Sequence, residues 1–418
     1  MSALKPPSQK IGDLQVLRGA AILLVLLEHA PLTRAVVGLF PHPIAFPGWL
    51  GVDLFFVVSG YVIARTLSRD RFEPIAFFVR RLFRLTPALL ILVAMIGGLT
   101  LLLSGANVAG LDRKQVVPEP GEFWPTGISV LCGYFSLGPQ AGGVLFGVAW
   151  SLSVEDLFYA AMTSVCFLSA AILGRKAPRV LPGLLFALAA AVYLLVLWMR
   201  LEFLYLGHIK VTSWRPFLYL FFLRFDFLAI GVMLGLTDGR YRQAIAKLFV
   251  GRGPFWTPIL LGTPLALSAV CGEIVVLSRP VFGLVLPVAG WCFGLLVLSA
   301  AHENALPPAR GIAYRFWTYL GDRSYTIYLF HWPAMLAASV LLSSAFGPWA
   351  VAAPVRAGIL QVAIAATVLL PFVECIYRGV ELPLTAVGRR VSRRLQIIPE
   401  EALPPTASPV AFSRRRAA

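Results

Sequence analysis

The feature that most constrains this chain is a series of long apolar runs that recurs along nearly its whole length. About ten of them reach the roughly 20 residues that a helix needs to cross a ~30 Å hydrocarbon core. Hydrophobic residues make up 58% of the 418 residues and charged residues only 13%, whereas a soluble domain has about 45–50% and about 25%. The sequence therefore predicts an all-α, polytopic membrane protein with about ten transmembrane helices.

The predicted spans follow the apolar runs. They lie at about 15–34, 48–66, 85–104, 153–174, 180–199, 216–237, 255–273, 281–300, 323–343 and 357–378. No segment between them is long enough for a soluble domain. We therefore divide the chain into a cytoplasmic N-terminal segment (1–14), one transmembrane domain (15–380) and a short, basic, proline-rich cytoplasmic tail (381–418).

The charge distribution predicts how the chain is oriented. Basic residues outnumber acidic ones by 36 to 20, for a net charge of +16. In a soluble protein this excess would suggest nucleic-acid binding, but in a membrane protein basic residues collect in cytoplasmic loops. With both termini inside, the inner segments hold about three times as many Lys and Arg as the outer ones, so we predict cytoplasmic termini and no nucleic-acid partner.

One uncharged segment, 127–149, could be mistaken for a further span. It is rich in glycine, and a crossing there would invert every later loop and destroy the charge asymmetry. We expect a re-entrant or interfacial segment on the outer side.

Ionisable residues near the outer ends of the first two spans are candidates for function, because charge at membrane depth is costly. Arg18 and His29 are eleven residues apart, so both leave the first helix on nearly the same face, about 16 Å apart along its axis. A snorkelling arginine and a lone helix-end histidine are the alternative. Asp53 is expected near the level of His29, where it can orient the imidazole or only cap its own helix.

Charged residues at the start of the third and fourth spans can likewise have either a functional or a purely structural role. Arg81 and Arg84, with Arg80 beside them, can converge on one anionic group at the inner face or only anchor the helix. Glu155 and the neighbouring Asp156 can act in chemistry or only cap the fourth helix.

Three later residues are also at predicted membrane depth. Arg224 and Asp226 lie in mid-helix and indicate an ion pair with other helices. His331 precedes Pro333 by two residues and can satisfy a carbonyl freed by a kink. No metal centre is predicted, because the five cysteines form no C-x-x-C pair and the five histidines show no paired ligand spacing.

The order of these residues resembles the acyltransferase 3 family of integral membrane O-acyltransferases, which includes bacterial O-antigen and other glycan acetylases. The resemblance runs from about Leu17 to Glu381. It is carried by Leu17-Arg18-Gly19 and His29, then by GVDLFFVVSGYVI, RRLFRLTPAL, WSLSVEDLFY, RFDFLAIG and SYTIYLFHWP. It implies a ten-helix domain that takes an acyl group, usually acetyl, from cytoplasmic acyl-CoA and delivers it to a sugar hydroxyl, commonly on the periplasmic side of a bacterial inner membrane.

The resemblance also implies roles for individual residues. It implies catalytic roles for His29, Glu155 and Asp53, acyl-CoA binding by Arg18, Arg81, Arg84 and Arg80, and supporting roles for Arg224, Asp226, Tyr325 and His331. His29 is either a general base or the first acceptor of the acyl group. Acyl-CoA is then a donor substrate, and no permanently bound cofactor is expected.

The chain departs from the family pattern in three places. Asp156 stands where the family often has Glu, Glu28 directly precedes His29, and the C-terminal element Glu381-Leu382-Pro383 lacks its usual arginine.

Within the mechanism that the resemblance implies, we expect the arginines at the inner face and His29 with its carboxylates at the outer end.

A different class of function remains open on the sequence. Ten helices with buried charge also suit a transporter or flippase of a lipid-linked glycan, although such proteins often show internal repeats and none is seen here. The expected partners are membrane lipids and a hydroxyl acceptor, such as a glycan or a lipid-linked saccharide.

Overall fold

A computed structural model describes residues 12–37, 39, 46–67, 74–103, 120–132, 147–202, 223–270, 283, 285–303, 305 and 311–395. In this part of the chain the elements are helices and no strand is present, which confirms the all-α prediction there. The helices are α1 (Gly12–His29), α2 (Pro31–Val37), α3 (Leu50–Leu67), α4 (Pro74–Leu103), α5 (Pro120–Leu131), α6 (Ala149–Leu173), α7 (Ala177–Leu201), α8 (Phe225–Phe249), α9 (Gly253–Val270), α10 (Leu286–Ala301), α11 (Ile312–Ala352), α12 (Pro354–Ile376) and α13 (Leu382–Leu395). A 3₁₀ turn (Gly174–Lys176) joins α6 to α7, and a π-helical turn (Tyr377–Glu381) joins α12 to α13.

Each predicted span overlaps one of these helices. By length and composition, six helical stretches among the described residues can cross a membrane: Leu50–Leu67, Pro74–Leu102, Ala149–Leu173, Ala177–Leu201, Ile312–Phe346 and Pro354–Leu395. The chain is thus an integral membrane protein, while the count of about ten spans and the position of the termini stay predictions.

Two helices extend well beyond the apolar runs that predicted them. α4 begins at Pro74, eleven residues before the predicted span, and α11 is 41 residues long. Hydropathy locates the lipid-facing part of a helix, but Arg and other straight-chain residues continue the helix into the polar region. This difference in boundaries changes the depth at which several functional side chains are found.

Two predicted segments are only partly described. The segment 127–149 begins within α5, whose 12 residues are too few to cross a ~30 Å core, and residues 133–146 lie outside the described ranges. In the predicted tail, residues 382–395 form α13, which packs against α4. Arg80 of α4 donates a hydrogen bond to the Ser392 hydroxyl of α13 at 3.2 Å.

The central crossing of the bundle is between α1 and α11. A Cβ atom on Gly19 would collide with the carbonyl oxygen of Trp317, and one on Gly321 would collide with the carbonyl oxygen of Gln15. Such contact between two backbones is available only to glycine, and small residues at helix interfaces are the usual solution in membranes. Further along, α1 and α11 meet again through the rings of His29 and His331, so the two helices run in parallel.

A second close contact joins α3 to α8. A Cβ on Gly60 would collide with the Leu228 carbonyl, and one on Gly231 with the Val57 carbonyl. These two helices also run in parallel, and their packing holds the first turn of α8 beside the first turn of α3.

We predict that Gly321→Ala separates α1 from α11 and destabilises the protein. The added methyl group meets a backbone carbonyl that cannot rotate away, and overpacking of this kind costs about 1–3 kcal/mol. Thermal unfolding of the purified protein in detergent measures the effect. The matched control is Gly98→Ala in α4, where a Cβ meets no atom within 4 Å; an equal melting temperature for the two variants would contradict the prediction.

Candidate active site

The candidate residues collect at two levels of the α1–α11 pair. We call the level of His29 and His331 the histidine end. We call the level of Arg18, Arg81 and Arg84 the arginine end. Arg18 and His29 are on one helix, about 16 Å apart along its axis.

At the histidine end, the imidazole of His29 is oriented by its own helix. Its Nδ1 lies 2.8 Å from the carbonyl oxygen of Val25, one turn earlier. A carbonyl oxygen can only accept a hydrogen bond, so Nδ1–H donates to the Val25 carbonyl. The other ring nitrogen, Nε2, then carries the lone pair that a base or a nucleophile needs.

A second histidine lies directly beside it. His331 is completely buried, and its ring centroid is 5.1 Å from that of His29. Its Nδ1 lies 2.7 Å from the Tyr328 carbonyl and donates to it. Its Nε2 has no hydrogen-bond partner within the described part of the chain, and an unpaired buried acceptor costs about 1–3 kcal/mol.

An aromatic ring and a pair of hydroxyl groups complete the histidine end. The Trp332 ring lies 4.9 Å from the His29 ring, nearly edge-on. One turn from His331, towards the arginine end, the Ser151 hydroxyl donates to the Tyr328 hydroxyl at 2.8 Å. Since Glu155 follows Ser151 by one turn of α6, these hydroxyls lie between the histidine pair and the arginine end.

At the arginine end, Arg81 is fully engaged by protein groups. Its Nη2 lies 2.8 Å from Glu155 Oε2 and its Nε 2.8 Å from Asp156 Oδ1. The guanidinium also sits 4.3 Å from the centre of the Tyr159 ring, and the Tyr159 hydroxyl donates to Glu155 Oε1 at 2.9 Å. Arg81 therefore neutralises two carboxylates in a mostly buried site.

The expected separation of the carboxylates from the arginines is wrong for Glu155. The prediction placed Glu155 at the outer end with His29, but it forms an ion pair with Arg81. The reason is the helix boundaries: α4 and α6 begin before their apolar runs, so Arg81 lies two turns into α4 and Glu155 nearly two turns into α6, where the two side chains meet. The orienting partner that the structure gives for His29 is the Val25 carbonyl.

Positive charge without a neutralising contact remains at Arg84 and Arg18. Arg84 is exposed, Arg18 is half-buried, and neither forms an ion pair with a described residue. Arg18 experiences the fields of Arg84, Glu155 and Glu381. Tyr325 closes this region, since its hydroxyl donates to the Leu85 carbonyl at 2.7 Å.

The predicted mid-helix charges form a buried network of four side chains. Arg224 pairs with Asp53, and Arg200 pairs with Asp226 at 2.7 Å. The network joins α3, α7 and the start of α8. Arg200 lies one residue beyond the predicted span 180–199, but α7 continues to Leu201 and Arg200 is in the core, where it is 1% exposed.

Asp53 accordingly lies elsewhere than the sequence suggested. Gly51 packs on the Ala21 carbonyl, which sets the first turn of α3 against the middle of α1 and away from its end at His29. The Asp53 carboxylate is engaged by Arg224, and its Oδ1 has no hydrogen-bond partner among the described residues.

Sequence reasoning did not single out several members of these groups. They are Ser151, Tyr159, Arg200, Tyr328 and Trp332. Apart from Arg200, each stands in a segment that carried the resemblance, so its position was visible but its contact was not. No set of three or more His, Cys, Asp or Glu side chains in the described ranges is placed to hold a metal ion.

Comparison with known proteins decides the family. An acyltransferase domain, the acyltransferase 3 domain, matches residues 11–373. The chain belongs to the acyltransferase 3 family. It is therefore an acyltransferase that transfers groups other than aminoacyl groups, and α13 lies beyond the matched domain.

Two of three similar proteins carry names that describe acyl transfer. A protein of Komagataeibacter xylinus named as a membrane-bound transacylase, BcsY, is 29% identical over 80% of this chain and 76% of its own length. A Staphylococcus aureus protein named as an O-acetyltransferase is 31% identical over 36% of this chain and 23% of its own length. Nodulation protein 10 of Rhizobium leguminosarum bv. viciae is 26% identical over 67% of this chain and 70% of its own. No solved structure matches the chain significantly.

We predict unequal effects on stability for two neighbouring arginines of this acyltransferase. Arg81→Gln leaves Glu155 and Asp156 without their ion-pair partner. Because Asp156 is 44% exposed, the loss is smaller than for a fully buried pair, about 1–3 kcal/mol. Arg84→Gln removes an exposed side chain that makes no ion pair with a described residue, so stability changes by less than about 0.5 kcal/mol. Thermal unfolding in detergent compares them; a larger loss for Arg84→Gln would contradict the assignment.

Proposed function

We propose that this acyltransferase moves an acyl group, most simply acetyl, from acyl-CoA at the arginine end to a hydroxyl of a glycan or glycan-like acceptor at the histidine end. The arginine end faces the cytoplasm and the histidine end the periplasm of a bacterial inner membrane. The observation that carries the proposal is the arrangement along α1. Arginines without an ion-pair partner among the described residues lie at one level, and an imidazole with an oriented Nε2 lies at the other.

The charges at the arginine end suit the phosphates of a donor. Arg81 is neutralised by Glu155 and Asp156, so its role is to hold α4 against α6. Arg84 and Arg18 form no ion pair with a described residue, and guanidinium groups bind phosphate through paired, charge-assisted hydrogen bonds. With the phosphates held there, the extended arm of the donor runs along the side of the α1–α11 pair and carries the thioester towards His29.

The chemistry at the histidine end needs one base. His29 Nε2 removes the proton of the acceptor hydroxyl, the hydroxyl oxygen attacks the thioester carbonyl carbon, and the carbon–sulfur bond breaks. The proton ends on the sulfur, so the products are an O-acyl ester and free CoA. Transient acylation of His29 is the second possible order of events, and it uses the same lone pair on Nε2.

We predict that His29→Ala lowers acyl transfer by about 10²–10⁴-fold, the usual contribution of a general base. Mass spectrometry of cell-envelope and secreted glycans, from cells with equal membrane levels of wild type and variant, gives the readout. A mass increment of one acyl group is expected with wild type only. Glu28→Gln is the matched control, because an amide oxygen still accepts the 2.9 Å hydrogen bond from the Gly48 N–H.

Substantial acyl transfer by His29→Ala would refute the role of His29. A change in the amount of glycan exported, with no acyl difference and no CoA released, would instead favour a transporter or flippase.

We predict that Arg84→Gln raises KM for acyl-CoA with little change in kcat. Its charge attracts the donor but does not take part in bond making, and loss of one charge-assisted hydrogen bond costs about 1.5–3 kcal/mol, or roughly 10–100-fold in affinity. Release of free CoA by the protein in lipid nanodiscs measures both constants. A fall in kcat at unchanged KM would place Arg84 in the chemical step.

A further inference from the structure

We infer that His331 is a second functional imidazole, which accepts a hydrogen bond from His29 once His29 has taken the proton of the acceptor. The two rings would then hold this proton between their Nε2 atoms during turnover. The inference rests on the proposed function and adds to it a residue that does not itself touch the hydroxyl under attack.

The backbone fixes the tautomer of both imidazole rings. Nδ1 of His29 donates to the Val25 carbonyl, and Nδ1 of His331 donates to the Tyr328 carbonyl. Both neutral rings therefore present a lone pair at Nε2. The His331 Nε2 lone pair is buried without a donor among the described residues, and a proton taken up by His29 Nε2 can supply that donor.

The imidazole rings of His29 and His331 lie close together. The ring centroids are 5.1 Å apart with an angle of 51° between the planes. At this separation one nitrogen of each ring can approach to hydrogen-bond length with a small rotation of the side chains. The resting rings share no such bond, since His331 Nε2 has no partner among the described residues.

Packing near Pro333 explains one ring nitrogen of His331 but not the other. A histidine near Pro333 can satisfy a backbone carbonyl, and Nδ1 does so with Tyr328. Nε2 remains buried and unpaired, which a leucine or a methionine would avoid. Buried polar atoms without partners are uncommon in folded proteins, and each calls for an explanation such as catalysis.

No other charged group among the described residues acts on His331. Among described titratable groups, His29 is the one that acts electrostatically on His331. The nearest carboxylate on α1, Glu28, accepts from the Gly48 N–H, and Tyr328 of α11 is bonded to Ser151 of α6. Among the described groups, His331 is therefore coupled electrostatically to the His29 imidazole.

The proton balance of the reaction is unchanged. The acceptor O–H bond breaks, and the proton moves to His29 Nε2, where the lone pair of His331 Nε2 stabilises the imidazolium. As the carbon–sulfur bond breaks, the same proton passes to the sulfur of CoA. His331 is thus a positioning residue whose effect is to make His29 a stronger base.

Two substitutions at one position test this inference. His331→Asn places an amide nitrogen near the position of Nδ1 and keeps the bond to Tyr328, but it removes the acceptor at Nε2. His331→Gln extends an amide to the position of Nε2, where its oxygen can accept a hydrogen bond. CoA release and acyl transfer are measured in nanodiscs across pH, with wild type and His29→Ala as references.

His331→Asn is expected to lower kcat by about 10–100-fold, the usual loss for a partner that tunes a functional imidazole, at unchanged KM for acyl-CoA. His331→Gln should recover a large part of kcat. Since the pair stabilises protonated His29, the rising limb of rate against pH should move to lower pH in His331→Asn. A role in packing would not move this limb.

Wild-type kcat and an unshifted pH limb in His331→Asn would overturn the inference, as would equal losses in the Asn and Gln variants. Should His331→Asn fail to fold, the same comparison is made between His331→Gln and the apolar His331→Leu. An inactive wild type would overturn the proposed function itself, whereas an active wild type with inactive His29→Ala and normal His331→Asn would overturn only the role of His331.

Discussion

The contact on which the rest of this molecule depends is the crossing of α1 and α11, where Gly19 and Gly321 bring two backbones together. Because the helices run in parallel from that point, the ends of their shared face meet again at His29 and His331. The same crossing holds Arg18 among charged side chains of three other elements. In a membrane, where apolar side chains gain little by leaving lipid, this close fit of backbone against backbone is the main source of helix association.

Buried ion pairs supply the specificity that apolar packing lacks. Arg81 joins α4 to α6, and the pairs Arg224–Asp53 and Arg200–Asp226 join α3, α7 and α8. A charge without a partner at such depth would be costly, so each pair permits one register between its helices. Among the described residues, Arg84 and Arg18 at the arginine end form no such pair, and the proposed function assigns them to the anionic donor.

Sequence patterns predicted the helical class, the approximate spans and the residues of interest, because apolar run length and ionisable residues at membrane depth follow directly from the properties of lipid. They did not predict partners. Glu155 was expected with His29 and lies with Arg81, since the helices extend beyond their apolar runs, and there the two side chains meet. Arg200 stood just beyond a predicted helix end and is in the core for the same reason. The pairing of His29 with His331 joins residues 302 positions apart in the sequence, and only the packing of α1 on α11 reveals it.

The interlocked glycines of α1 and α11 have a mechanical consequence. Each glycine seats against a carbonyl of the other helix, so neither helix can slide or rotate without steric overlap. The two helices therefore form a rigid pair that holds the arginine end and the histidine end at a constant spacing. Under the proposed function, the acyl group therefore crosses between these levels through the reach of the substrates, while the two helices keep a constant spacing.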